Sequence, residues 1–382
     1  MAAHSPMAKM LGPVAVVGLA ILGCSLLLVQ VGASPTPPYD IVPLCVFGDS
    51  YSDFGNNIYL DTTVRADSPP YGIDSPTARP TGRFTNYRNM ADYLSVALRL
   101  PETPSPYLSP QLNGERLLYC ANFASPATGI LNDTGVQEGN RITMPEQLAS
   151  FRQYRSRLAG VVGGNAQAER LMNQAVFFVT VGTWDFLSNY YRLPFSARAS
   201  QYPVLTDFIA YLISVYTNYL RSFYQLGARR VMIVGVGPLG CVPATLAARS
   251  RNGDCDPELQ RAALLFNAEV VKMAQYLNTE FGGVFFLAAD TNRCIYDLYT
   301  NAAAYGFTET RVACCGQGRY NGEGQCTPAS NLCPNRDVYV NWDPIHLTDR
   351  ANGIIVQLVL AGPPEVISPM NLNAMLAMDN GA

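Results

Sequence analysis

The sequence predicts a three-layer α/β/α fold with a mainly parallel central sheet. Short apolar, β-rich runs alternate five times with longer segments of helical periodicity. The first three of these runs stop at small or polar residues: Gly48-Asp49-Ser50, Ser125-Pro126 and Gly182-Thr183. Neighbouring parallel strands gather such ends at one sheet edge, where ligands bind. No internal repeat and no composition break divides the chain, so residues 34–382 read as a single domain.

In chain order, residues 1–33 read as an export leader. Lys9 supplies a positive start, Leu11 to Val31 is apolar, and Val31-Gly32-Ala33 offers small residues before a cut ahead of Ser34. An uncleaved anchor is the other reading of that run. Ile41–Phe47 is the first strand. Residues 56–86, rich in Pro, Gly, Asp and Thr, form a long ordered loop of the kind that often serves function. Within it, Arg79 and Arg83 are candidates for a cap on a substrate cleft.

Asn89–Leu100 has helical spacing, and Leu117–Ala124 reads as the second strand. Glu146–Leu158 and Ala166–Asn173 are helical, and Ala175–Val181 is a central strand. Leu205–Leu226 is a helix stopped by Gly227, and Arg230–Val236 is a strand. Asp256 caps a helix with Pro257 at its first position, running to Phe281. Gly283–Ala288 is the last strand. A cysteine-rich loop, a helix from Asp349 to Leu360 and an exposed tail from about residue 363 complete the chain.

Of the 382 residues, 48% are hydrophobic and 14% charged, which excludes a disordered chain. The net charge of −3 gives no basic footprint, so nucleic acid is not an expected partner. No apolar run after the leader is long enough to span a bilayer. Cys24 lies in the leader. The nine remaining cysteines, five of them crowded between residues 294 and 333, fit a disulfide-stapled protein in an oxidising compartment. The odd number leaves at least one free or paired with another chain, with Cys45 and Cys120 as candidates. No metal site or cofactor is expected, since no CxxC pair appears. Asn132-Asp133-Thr134 is a glycosylation sequon, consistent with secretion.

Gly-Asp-Ser after a strand is ordinarily just a turn. Histidine count changes the weight of that reading. The chain has two histidines, and His4 lies in the leader. His346 is left as the only imidazole, three residues after Asp343 in Trp342-Asp343-Pro344-Ile345-His346. A serine at a strand end, one histidine and a neighbouring carboxylate suit nucleophilic catalysis: Ser50 attacks, His346 moves the proton, and Asp343 orients the imidazole.

Together these blocks resemble the plant GDSL esterase/lipases of the SGNH hydrolase superfamily. The likeness runs over nearly all of residues 41–361. It includes Phe47-Gly48-Asp49-Ser50 with Asp53, Gly55, Asn56 and Asn57, then Pro70-Tyr71-Gly72-Ile73-Asp74, and Arg79 to Asn86. It continues through Asn122-Phe123-Ala124-Ser125, Gly237-Pro238-Leu239-Gly240-Cys241 and Cys314-Cys315-Gly316 to the histidine block. The resemblance implies a flavodoxin-like SGNH hydrolase fold, metal-free hydrolysis of lipid or other acyl esters, and a triad of Ser50, Asp343 and His346.

The chain departs from the family pattern where oxyanion donors are usual. Tyr51 replaces a leucine. Pro126, which has no N–H, follows Ser125 in place of a glycine, and Trp184 replaces an asparagine. Each lost donor is worth about 10²–10³ in rate. Substitutes are the Trp184 indole, the Thr183 and Ser125 hydroxyls or the Thr128 backbone. Acyl transfer by the same triad and a weakened, ligand-binding site are the competing readings.

Overall fold

The computed structural model describes residues 41–192 and 194–378; the predicted leader lies outside them. The chain forms β1 (Leu44–Gly48), α1 (Met90–Ala97), α2 (Met144–Val162), α3 (Asn165–Gln174), β2 (Val176–Thr180), α4 (Ala197–Gln201) and α5 (Leu205–Gln225). It continues with β3 (Arg230–Val234), α6 (Pro243–Arg249), α7 (Pro257–Phe281), β4 (Phe286–Ala289) and α8 (Thr291–Thr300). Last come β5 (Cys315–Gly316), β6 (Asn331–Leu332), α9 (Asp349–Ala361), β7 (Ile367–Ser368) and α10 (Leu372–Met378).

The main sheet has the order β1-β2-β3-β4-β7, parallel except for β7. Its central strands are buried on both faces, as helix-covered parallel strands must be. Alternate residues feed two cores. Cys45, Phe47, Phe177 and Val231 join α2, α3, α5 and α7 on one face. Leu44, Val46, Phe178 and Met232 join α1, α8, α9 and α10 on the other. This is the expected α/β/α fold. Asn89 caps α1 through its side chain, and Asp256 caps α7.

The expected strand over 117–124 is corrected. Residues 114–119 coil into a 3-10 helix, and Cys120 sits at φ 71, which no regular strand accommodates. Only the following residues lie along β1. Val46 N–H donates to Ala121 O (3.1 Å), Phe123 N–H to Val46 O (2.7 Å) and Ser125 N–H to Gly48 O (3.0 Å). With this segment counted as a strand, the order becomes 2-1-3-4-5, and β1 lies where the winding reverses.

The tail is also corrected. Ile367 pairs with Ala289, and Leu372 and Met375 are buried against the second core. Cys45 and Cys120, the candidates for a free thiol, are bonded to each other. The other pairs are Cys241–Cys255, Cys314–Cys333 and Cys315–Cys326, and the free cysteine among the described residues is the buried Cys294.

Candidate active site

β1 ends at Gly48, where the backbone turns to φ 122. A Cβ there would lie 1.8 Å from Thr180 O of β2, so only glycine lets the strand ends approach this closely. The Gln147 amide of α2 clasps the turn, accepting from Gly48 N–H and donating to Gly48 O, both at 2.8 Å. Gly48→Ala is expected to cost about 3 kcal/mol or more, read as a lower melting temperature; an unchanged melting temperature would contradict this packing.

Ser50 follows, and the chain then folds back around Asp53. That carboxylate accepts from the N–H groups of Gly55 (2.8 Å), Asn56 (2.7 Å) and Asn57 (3.1 Å) and from Asn57 Nδ2 (2.7 Å). Asn122 Nδ2 donates to Ser52 O at 2.6 Å, and Asn56 Nδ2 donates to Ala124 O at 2.8 Å. The block around the serine therefore builds a rigid turn and ties it to the 121–125 segment.

The structure brings Ser50, His346 and Asp343 together. His346 Nε2 lies 2.7 Å from Ser50 Oγ, and Nδ1 lies 2.8 Å from each oxygen of Asp343. The three residues are 1%, 5% and 3% exposed, so water competes little for these bonds. Asp343 also accepts from the N–H groups of Ile345 (2.9 Å) and His346 (2.8 Å) and from the Tyr71 hydroxyl (2.9 Å). Burial opposes its charge, but the adjoining His346 and the backbone N–H groups of Ile345 and His346 outweigh it and hold the carboxyl below its ordinary range. The Phe84 and Tyr51 rings flank the imidazole at 4.9 and 5.2 Å.

Trp184 directs its indole Nε1 at Ser50 Oγ, at 3.5 Å. It stands just before a π-helical turn, Asp185–Tyr190, after β2. Asp185 joins this turn to the loop after Ser125, accepting from Ile130 N–H (2.6 Å), Leu131 N–H (3.1 Å) and Thr134 Oγ1 (2.6 Å). In that loop Ala127 takes φ 59, a conformation that favours glycine. Ala127 packs in one apolar cluster with Trp184, Tyr71, Phe84 and Trp342.

Other sequence candidates lie elsewhere. Ser125 Oγ accepts from Ile142 N–H at 3.0 Å, a bond that serves the 142 loop and not Ser50. Thr183 is buried and lines a cavity of about 20 Å³ with Asp49, Tyr51 and Thr180. Arg83 is no cleft residue: it pairs with Asp92 at 2.7 Å and lies over the Phe54 ring. Arg79 is exposed. Tyr71 stands in the Pro70–Asp74 block, but its contact with Asp343 is not legible there, because that partner is 272 residues away and a tyrosine in a long loop carries no local signal for it.

Burial, together with the nearby Asp185, pushes Asp49 up to about 8 despite a bond from Tyr51 N–H. Burial likewise takes Asp53 and Asp185 up to about 6 against their hydrogen bonds. A carboxyl that holds its proton longer when folded loses stability as pH rises from its unfolded value, about 4, to its folded one. The protein is therefore expected to melt at a higher temperature at pH 5 than at pH 8. Asp49→Asn should flatten the decline between pH 6 and 8; an equally steep decline in that variant would contradict the assignment.

Among the described residues no helix is long and apolar enough to cross a membrane, and no group of His, Cys, Asp and Glu could hold a metal ion.

The profile of the GDSL-like lipase/acylhydrolase family matches residues 44–359. The chain is similar to the GDSL esterase/lipase LTL1 of Arabidopsis thaliana, 51% identical over 335 residues, covering 88% of this chain and 91% of the relative. Two further Arabidopsis thaliana GDSL esterase/lipases are 51% and 49% identical, covering 87% and 88% of this chain and 92% and 90% of their own lengths. With its α/β fold and mainly parallel sheet, the chain belongs to the plant GDSL esterase/lipases and is a carboxylic ester hydrolase.

Proposed function

We propose that the chain cleaves lipid or other acyl esters through Ser50, His346 and Asp343. The observation that carries this reading is the unbroken line from Ser50 Oγ through both nitrogens of His346 to Asp343, with every contact between 2.7 and 2.8 Å. Ser50 Oγ attacks the ester carbonyl as His346 Nε2 takes its proton. Asp343 holds the Nδ1–H tautomer and balances the imidazolium. His346 then protonates the leaving alcohol. Water, deprotonated by His346, attacks the acyl-serine and releases the acid.

The negative oxygen that forms between these steps needs donors aimed at it. The backbone N–H of Ser50 is one, and the Trp184 indole N–H replaces the missing asparagine as the second. A third, the N–H of Ala127, is supported by the glycine-like backbone at that position.

Acyl transfer is the second reading. It is favoured by the near-complete burial of Ser50, which limits water at the acyl-serine. The reading further holds that residues 1–33 direct export and are removed, leaving one domain over 34–382. Four disulfides among the described residues support that compartment.

The test is turnover of a series of aryl esters by wild type and Ser50→Ala, with and without an added alcohol. Ser50-dependent release of free acid supports hydrolysis. Product carried mainly onto the alcohol supports transfer. Equal turnover by both proteins contradicts the triad.

A further inference from the structure

We propose that Tyr71 is a positioning residue of the acid–base pair: its hydroxyl fixes Oδ2 of Asp343 and limits the negative charge that the imidazole feels. The inference rests on the Ser50–His346–Asp343 reading for its catalytic consequence, and on geometry alone for its effect on His346.

The argument begins with the division of labour at the carboxylate. Oδ1 is held from its own chain by the N–H groups of Ile345 and His346 and by Nδ1. Among the described residues Oδ2 meets only Nδ1 and the Tyr71 hydroxyl, at 2.8 and 2.9 Å. Asp343 is buried, so no solvent stands in for a lost donor. A hydrogen bond from a neutral donor to a buried carboxylate is among the stronger ones in proteins. It also draws charge away from Oδ2, one of the two oxygens that face the histidine at 2.8 Å.

Tyr71 is placed for this by its loop. Its ring stands edge-on to Phe84 at 5.8 Å and to Trp342 at 6.1 Å. Gly72 follows at φ 68, donating to Thr85 O at 3.1 Å, which folds the loop back on itself. Burial, with the Asp343 charge beside it, raises the Tyr71 phenol, so it remains a donor throughout the working range.

The histidine loop has other anchors. Tyr51 donates its hydroxyl to Ile345 O at 2.7 Å, and Ala244 N–H donates to Pro344 O at 2.9 Å. Removing the Tyr71 hydroxyl therefore leaves the loop in place and changes only what Asp343 experiences. Among the described residues, Tyr51 flanks the imidazole, and the titratable groups acting on Tyr51 besides Asp343 are Asp49, which accepts from its N–H, and Tyr299, which bonds to Asn341. None of these three bonds to Asp343.

The sign follows from charge. Without Tyr71's proton, the full charge of Asp343 falls on His346 and holds the imidazole proton more tightly. In Tyr71→Phe the His346 titration, followed by NMR of selectively labelled histidine, is expected to move up by about 0.5–1 pH unit. The acid limb of kcat/KM should move with it. In addition, kcat should fall about tenfold with KM little changed, since the bond acts on the proton-transfer step. Replacing Tyr71 by 3-fluorotyrosine, a more acidic donor of nearly the same shape, should move the titration down.

An unchanged His346 titration in the fluorotyrosine protein, or in a folded Tyr71→Phe, overturns the proposal. A shifted titration with turnover indifferent to Ser50 would uphold Tyr71's hold on Asp343 and remove the triad instead.

Discussion

Replacing His346 with alanine is expected to lower kcat/KM for a short-chain aryl ester by about 10⁴–10⁶. No other imidazole lies among the described residues, so nothing nearby takes over the proton. Ser50 Oγ would keep the Trp184 indole as a neighbour but lose its only base within 2.7 Å. Asp343 would remain buried against Tyr71 and its two backbone donors. The fold should survive, because the loop is anchored elsewhere by Tyr51 and Ala244. The check is steady-state kinetics beside a melting curve. A folded variant with most of its activity would rule out His346 as base.

The second large effect concerns Trp184. Its Nε1–H reaches Ser50 Oγ at 3.5 Å, a weak bond in the resting state. A donor that contacts the serine loosely and the developing oxyanion closely stabilises the transition state selectively. Trp184→Phe keeps the apolar bulk and removes the donor, and is expected to lower kcat by about 10²–10³ with little change in KM. Trp184→Asn restores the amide usual in the family and should retain far more activity than the phenylalanine variant. If phenylalanine and tryptophan turn over equally, the oxyanion is held by backbone groups alone.

The features legible from the sequence are those written locally. Apolar runs ending at Gly48, Gly182 and Gly237 marked three sheet strands because buried parallel strands are short and continuous. Asp256-Pro257 marked a helix start because cap and first-turn chemistry depend on adjacent residues. Ser50, Asp343 and His346 stood out because the chain offers so few imidazoles.

What failed was non-local. The 117–124 run has strand composition, yet its disulfide partner Cys45 and the positive φ of Cys120 place only its second half against β1. Helix α6, Pro243–Arg249, lies between the expected strand and the helix at Pro257, in a stretch where no element is expected from the sequence. The tail looked exposed because Ile367, Leu372 and Met375 are too sparse to mark a periodicity, although each finds the second core. Cysteine pairing was unreadable because spacing does not reveal which strands lie side by side. Tyr71 and Asp185 act across loops, and neither has a sequence neighbour that announces its partner.

The central claim is that Ser50 is an activated nucleophile. The most direct measurement is labelling of the folded protein with a fluorophosphonate, followed by peptide mass spectrometry and with Ser50→Ala as the control. The account predicts stoichiometric modification of Ser50, abolished in Ser50→Ala and strongly slowed in His346→Ala. A folded wild-type protein left unlabelled at Ser50, or labelled as fast without His346, would contradict it.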